Sequence, residues 1–188
     1  MDDQTPTFES PVTTSYPATP GAPLELADVS SLAKLVVRAD LDTGAAAQMA
    51  VPFGTSRMQG DVLVAGQRPT EWTLIGNASS VAALAESIDR AGHVSTIDHT
   101  HSRAMFNLTG AESCRLLEKV CGLDWDDAMT PDGAVMSASV AKVNCDIIRQ
   151  DRRNSRSYLL ACDRSFAQYL FDALLDAGSE FSIGVSSV

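Results

Sequence analysis

The 188-residue sequence predicts an α+β fold made of two tandem β-α-β-β-α-β units. One observation is an internal repeat. Residues 72–92 (WTLIGNASSVAALAESIDRAG) lie without a gap on residues 158–178 (YLLACDRSFAQYLFDALLDAG). Leu74 meets Leu160, Ser79 meets Ser165, Leu84 meets Leu170, and Ala91-Gly92 meets Ala177-Gly178. Each copy reads as a short apolar strand, a polar break and a helix closed by glycine. The second observation is that the flanking elements recur in the same order, which a chance likeness of one strand–helix pair does not require. The third is composition: 45% hydrophobic residues over this length suit a globular core.

Residues 1–23 carry Pro6, Pro11, Pro17, Pro20 and Pro23 among Ser and Thr, with no apolar period. Proline withholds backbone donors, so this stretch reads as an extended arm, disordered or ordered on a partner through Phe8 and Tyr16. Folded structure is expected from about Leu32. Residues 32–39 alternate as a strand, Leu35 and Val37 against Lys34, Val36 and Arg38. Residues 43–51 suit a short alanine-rich helix capped by Thr43 and stopped by Pro52-Phe53-Gly54. Strands follow at 61–65 and 71–76. A helix over 79–91, capped by Asn77 or Ser79, turns Val81, Leu84, Ala85 and Ile88 to one face. Residues 93–98 supply the fourth strand.

The second half gives the same order. Residues 103–109 point Ala104, Phe106 and Leu108 inward. Thr109 and Glu112 form a capping box for a helix over 111–121, with Cys114, Leu117 and Cys121 on its apolar face and Gly122 at its end. Residues 136–148 read as one long strand, Ala141, Val143, Cys145 and Ile147 on one side. A loop over 149–156 leads to a strand at 157–162, a helix at 165–177 and a strand at 180–185. Two split β-α-β units of this order are of the ferredoxin-like type. Short links between the halves, about 32–98 and 103–185, predict one pseudo-symmetric domain over 24–188 rather than two independent ones.

A net charge of −10 argues against nucleic acid and anionic membranes, because phosphate neutralisation needs concentrated Lys and Arg. No apolar run reaches the roughly 18–20 residues that span a bilayer. A basic n-region and apolar h-region are both lacking at the N-terminus, so a cytoplasmic location is expected. Cys114, Cys121, Cys145 and Cys162 form no CxxC pair and fall in apolar segments, as reduced core thiols do. No GxGxxG, GxxxxGK[ST] or GxSxG pattern occurs, and no candidate acid stands at readable spacing from a candidate base.

Three clusters remain. His93, His99 and His101 lie near Asp98. In a strand, His99 and His101 would share a side, the start of a two-histidine metal site, but no third ligand stands at standard spacing. Surface or structural histidines are the alternative. Arg149, Arg152, Arg153 and Arg156 surround a hairpin tip, as a solvated loop or as a dock for an acidic partner. Asp124, Asp126 and Asp127 follow the Gly122 stop, as a polar turn or as a carboxylate cluster.

Residues 68–74, Arg68-Pro69-Thr70-Glu71-Trp72-Thr73-Leu74, resemble the G-P-D-E-W-L-L signature of the gamma subunit of heterotetrameric sarcosine oxidase. Residues 97–104 (IDHTHSRA) resemble that family's V-D-V-S-H-S-R-A segment, and 106–110 (FNLTG) its strand ending in S/T-G. Residues 120–125 (VCGLDW) are similar to its G-C-P-L-D-L run, and 165–175 to its closing R-S-F-A helix. The same segments look more distantly like the first half of the glycine-cleavage T-protein (aminomethyltransferase) family, a tetrahydrofolate-binding fold of tandem ferredoxin-like units.

The resemblance implies a T-protein-like domain that acts as a small non-catalytic assembly subunit. In such complexes sarcosine is oxidatively demethylated to glycine at a flavin, with hydrogen peroxide and formaldehyde or 5,10-methylenetetrahydrofolate as products. FAD, FMN, NAD and tetrahydrofolate would sit on other subunits, and the partners would be alpha, beta and delta chains. Asp124 is the nearest match to the folate-contacting Asp of T-proteins, shifted by Leu123, and stands as the relic of a folate site. The T-protein LSH becomes His99-Thr100-His101 here. A free-standing tetrahydrofolate-binding one-carbon protein, or the equivalent subunit of an N-methyl amino-acid dehydrogenase, is the alternative.

Overall fold

The computed structural model describes residues 7–152 and 155–186. Among them no helix is long and apolar enough to cross a membrane. The elements run β1 (Leu24–Asp28), β2 (Ala33–Ala39), α1 (Gly44–Met49), β3 (Ser56–Gln59), β4 (Val62–Arg68), β5 (Glu71–Gly76), α2 (Ala78–Glu86) and β6 (Val94–Asp98). The second half follows with β7 (Arg103–Gly110), α3 (Ser113–Val120), β8 (Val135–Val140), β9 (Val143–Arg149), β10 (Ser157–Asp163), α4 (Ala167–Gly178) and β11 (Ile183–Ser186). They build a mixed α+β fold on two sheets, ordered β3-β4-β5-β2-β6 and β11-β1-β7-β10-β9-β8.

Each sheet is buried on both faces, which explains why its central strands are so apolar. Period-2 alternation sends successive side chains to opposite layers. Val62, Val64, Trp72 and Leu74 pack under α1 and α2, whereas Leu63, Ala65 and Ile75 face the second sheet. On the second sheet, Phe106, Tyr158, Leu160 and Cys162 pack under α3 and α4, and Met105, Leu159 and Ala161 face the first. The result is four layers, α-β-β-α. Trp72 and Tyr158, matched in the repeat, both bury their rings beneath helices. The Trp72 indole donates to the Val51 carbonyl at 2.8 Å.

Each half differs from the expected order by one strand, giving β-α-β-β-β-α-β. In the first half the addition is β3, joined to β4 through Gly60 at φ 59°. In the second, the single strand expected over 136–148 is a hairpin, β8 paired to β9 with Val140 opposite Val143. Its turn residues Ala141 and Lys142 take φ of 46° and 69°, the left-handed pair of a two-residue hairpin turn. Ala-Lys lacks the Asn-Gly or Asp-Gly signature of such turns, so the alternation hid the fold-back.

Structure also starts earlier than Leu32. β1 crosses to the other half and wedges between β7 (antiparallel) and β11 (parallel). Its partner at one end is Gly110, φ 143°, where an added Cβ would stand 2.4 Å from the Pro23 carbonyl oxygen. The expected capping box does not form. Thr109 belongs to β7 and bonds Ser157 at 3.0 Å, while Glu112 pairs with Arg115 at 2.8 Å. Helix α2 stops five residues before the expected end. Ser87 bonds back to Leu84, and the Asp89 amide donates to Gln48 at 2.9 Å.

The proline-rich arm, described from residue 7, runs over this same chain. The Thr13 and Thr14 amides donate to Gln168, and the Tyr16 hydroxyl donates to Asp172. The Tyr16 ring sits 5.3 Å from that of Phe171. Phe8 lies 5.8 Å from His101 and under the Arg164 guanidinium. Ala18 bridges Val185, extending the second sheet past β11.

Candidate functional site

The histidines do not converge. His99–Ser102 is a turn, not a strand, with the His99 carbonyl accepting from the amides of Ser102 and Arg103 at 3.2 and 3.1 Å. A two-residue spacing therefore does not put His99 and His101 on one side. His99 Nδ1 lies 3.2 Å from the Ser102 hydroxyl, and the exposed His101 stacks on Phe8. His93 precedes β6 and His99 follows it, roughly 20 Å along the strand at about 3.3 Å per residue. Among the described residues no group of three or more His, Cys, Asp or Glu could hold a metal ion.

Asp124 is exposed in the loop after α3 and accepts the Asp126 amide at 3.0 Å. Asp126 in turn accepts the Ala128 amide at 2.9 Å. Both are side-chain turns of the kind Asp favours. Between them Trp125 is buried, edge-on to Tyr158 at 5.3 Å.

The arginine cluster is not a solvated loop. Arg153 lies outside the described residues, but Arg149 is 5% exposed. Its guanidinium takes Asp151 through two bonds of 3.0 and 2.8 Å and donates to Asp127 and to the Thr130 carbonyl. Arg156 also reaches Asp127, at 2.8 Å, and donates to the Cys114 thiol at 2.7 Å. Cys114 in turn lies 3.1 Å from the Tyr158 hydroxyl. The Arg149 bond holds the Asp127 carboxyl below its ordinary range. Burial, then the Cys114 contact, pushes the Tyr158 phenol up. Such fork-and-carboxylate geometry fixes the β9–β10 hairpin against the loop after α3. Arg152 sits at the hairpin tip, its backbone bridged to Ser155.

All four cysteines are buried and free. Burial pushes Cys145 up to about 12 and Cys162 up to about 11, so both remain inert thiols near neutrality.

The feature that sequence reading missed lies between the sheets. A cavity of about 220 Å³ opens there, lined on the β2–β5 side by Lys34, Arg38, Gln67, Arg68, Glu71 and Thr73. Arg103, Met105, Asp146 and Leu159 face them from the second sheet. Lys34 is 2% exposed, and its ammonium donates to the Ser30 and Leu32 carbonyls at 2.7 and 2.6 Å. Burial lowers it to about 8, against the pull of Asp28 and Asp98. Buried Glu71 takes both Arg38, at 2.6 Å, and Arg68. Arg103 bonds Asp146 at 2.7 Å and Asp163 at 3.0 Å. The signal was present in the sequence. Lys34, Val36 and Arg38 alternate like an outer face, but opposite them stand Ile75, Thr73 and Glu71, so the face meets a second sheet, not water.

Comparison with known proteins bears on this whole framework. A chain of heterotetrameric sarcosine oxidase from Corynebacterium sp. U-96, solved with pyrrole 2-carboxylate, superposes with a TM-score of 0.75 at 20% identity. The match covers 88% of this chain and 89% of that one. The glycine cleavage system aminomethyltransferase T from Bartonella henselae superposes with a TM-score of 0.67 at 16% identity, over 88% of this chain. Only 48% of that aminomethyltransferase is covered, so this chain spans about half its length. No curated protein matches the sequence. The model of the GCVT N-terminal domain matches residues 27–187, from within β1 through β11 and so across both sheets. The chain therefore belongs to the GCVT N-terminal domain family.

Proposed function

We propose that this chain is a structural and assembly subunit, without catalytic residues of its own, of a heterotetrameric sarcosine oxidase. The complex demethylates sarcosine oxidatively to glycine. Oxygen becomes hydrogen peroxide, and the one-carbon unit leaves as formaldehyde or 5,10-methylenetetrahydrofolate. Alpha, beta and delta chains are the partners, FAD, FMN, NAD and tetrahydrofolate reside on them, and the assembly is cytoplasmic. The observation that carries this reading is mutual coverage. The chain accounts for 89% of a sarcosine oxidase chain but only 48% of the aminomethyltransferase.

The surface supports it too. Phe53 and Met129 are 64% and 66% exposed. Met129 lines the groove where Thr55 bridges Ala134 and joins the two sheets, and Phe53 directly precedes that groove's Gly54. Permanent interfaces leave such apolar side chains on an isolated subunit. The ferredoxin-like character of each half belongs to the same reading: leaving out β3, the first sheet runs β4-β5-β2-β6, the order of a split β-α-β unit.

A tagged pull-down from the native host, followed by mass spectrometry and an absorption spectrum, tests the proposal. Yellow material with three further chains is the expected result. A colourless, monodisperse single chain contradicts it. The GCVT match favours a second reading, a tetrahydrofolate-binding one-carbon protein. That reading requires the isolated chain to bind tetrahydrofolate and Asp124→Ala to abolish binding.

A further inference from the structure

The inter-sheet cavity is cationic in an anionic protein. Four of the chain's fourteen Lys and Arg residues line it, although the net charge is −10. Lys34, Arg38, Arg68 and Arg103 face two lining carboxylates, Glu71 and Asp146, and Arg103 is held by Asp163 as well. Glu71 is shared by two guanidinium groups, which leaves one positive charge in excess there. The Lys34 ammonium bonds two backbone carbonyls and no carboxylate, so one of its three hydrogens is uncommitted. The walls between these poles are apolar, built from Val36, Ile75, Met105 and Leu159. A few convergent polar groups over apolar walls are the ordinary make-up of a small-molecule site. At about 220 Å³ the space falls just under the usual range for drug-sized ligands, which selects something smaller.

We propose that this cavity binds a small organic carboxylate with an apolar body, its anionic head held by Lys34 and its body lying along the walls toward the positive Arg38–Arg68 rim. A buried ammonium whose hydrogen bonds go only to carbonyls, with Asp28 and Asp98 acting on it without a hydrogen bond, gains a directly bonded counter-ion when the ligand enters, and the ligand's body replaces water against the walls. The site is independent of the assembly reading, since every residue in it belongs to this chain.

Benzoate serves as the probe and benzamide, its uncharged counterpart, as the control. Both are titrated calorimetrically into the full chain at neutral pH and fixed ionic strength. The expected result is saturable one-to-one binding of benzoate, with benzamide weaker by about tenfold or more. Lys34→Met weakens benzoate by about tenfold, and the exposed Arg68→Gln by about threefold. Arg68→Gln leaves Arg38 on Glu71, so it keeps the test decisive should Lys34→Met fail to fold. Absence of saturable benzoate binding at millimolar concentration overturns the proposal. So does equal affinity for benzamide, or undiminished benzoate affinity in the folded variants.

Discussion

The two sheets share an order of elements but not a source of strands. The first is assembled wholly from residues 33–98, with β6 pairing directly on β2. In the second, the corresponding position beside β7 is taken by β1, and β11 is displaced outward onto it. The proline-rich arm then lies over α4 and bridges Val185. A chain segment preceding the first half thus completes the second. Repetition in sequence sets the local units, while one strand crossing between them makes the halves depend on each other.

The strongest way to break this comparison is to remove the crossing strand. Deletion through Asp28 takes away Leu24 and Leu26, both fully buried, and leaves β7 without one of its two neighbours. Loss of cooperative unfolding is expected, read by near-ultraviolet circular dichroism. A native-like cooperative transition would show that β1 is an accessory. Next comes Arg149→Met, which strands Asp151 beside a hairpin that the guanidinium held. Destabilisation of about 3 kcal/mol is expected in urea denaturation, since the guanidinium's bonds to Asp151 and to the Thr130 carbonyl are lost together.

The third prediction concerns the cavity between the sheets. Lys34 sits near 8 in the fold, below its ordinary 10.5, so the unfolded chain holds more protons between those values. The contribution of Lys34 to stability therefore rises as pH climbs through that window, by at most about 3 kcal/mol. Lys34→Met lacks this rise. Cys145, Cys162 and Tyr158 titrate alike in both proteins, so the difference between the two denaturation curves isolates Lys34. It should move in favour of the wild type from pH 7.5 to 10; a constant difference contradicts the assignment.

Gly110→Ala probes the β1 contact more gently. A Cβ there meets the Pro23 carbonyl oxygen, so β1 must shift, at about 2 kcal/mol. The smallest effect belongs to the arm. Tyr16→Phe removes the hydroxyl that Asp172 accepts and that takes the Gln168 amide at 2.9 Å, for about 1 kcal/mol in thermal melts.

Much of this is legible in the sequence. Trp72 and Tyr158, Leu74 and Leu160 declared the repeat, and Thr43 caps α1 through the Ala46 amide as its position implied. What stayed hidden has physical causes. β1 reads poorly because its five residues follow prolines, and its partners lie at both ends of the second half. The β8–β9 turn uses Ala141 and Lys142, whose left-handed geometry tertiary pairing imposes. Lys34 and Arg38 look solvent-facing because alternation reports a second face without saying what covers it. Arg149 was misread for the opposite reason: a charge run suggests water, but its carboxylate partners lie up to 22 residues away in sequence.

The functional account reduces to whether this chain builds a complex or does its chemistry. The most direct measurement is sarcosine-dependent peroxide formation per bound flavin, in a complex assembled with Asp124→Ala, His99→Ala and His101→Ala together in this chain. An unchanged rate, with assembly lost only when the chain is omitted, is the predicted result. A large fall in rate with assembly and flavin content intact would contradict it and place chemistry on this chain.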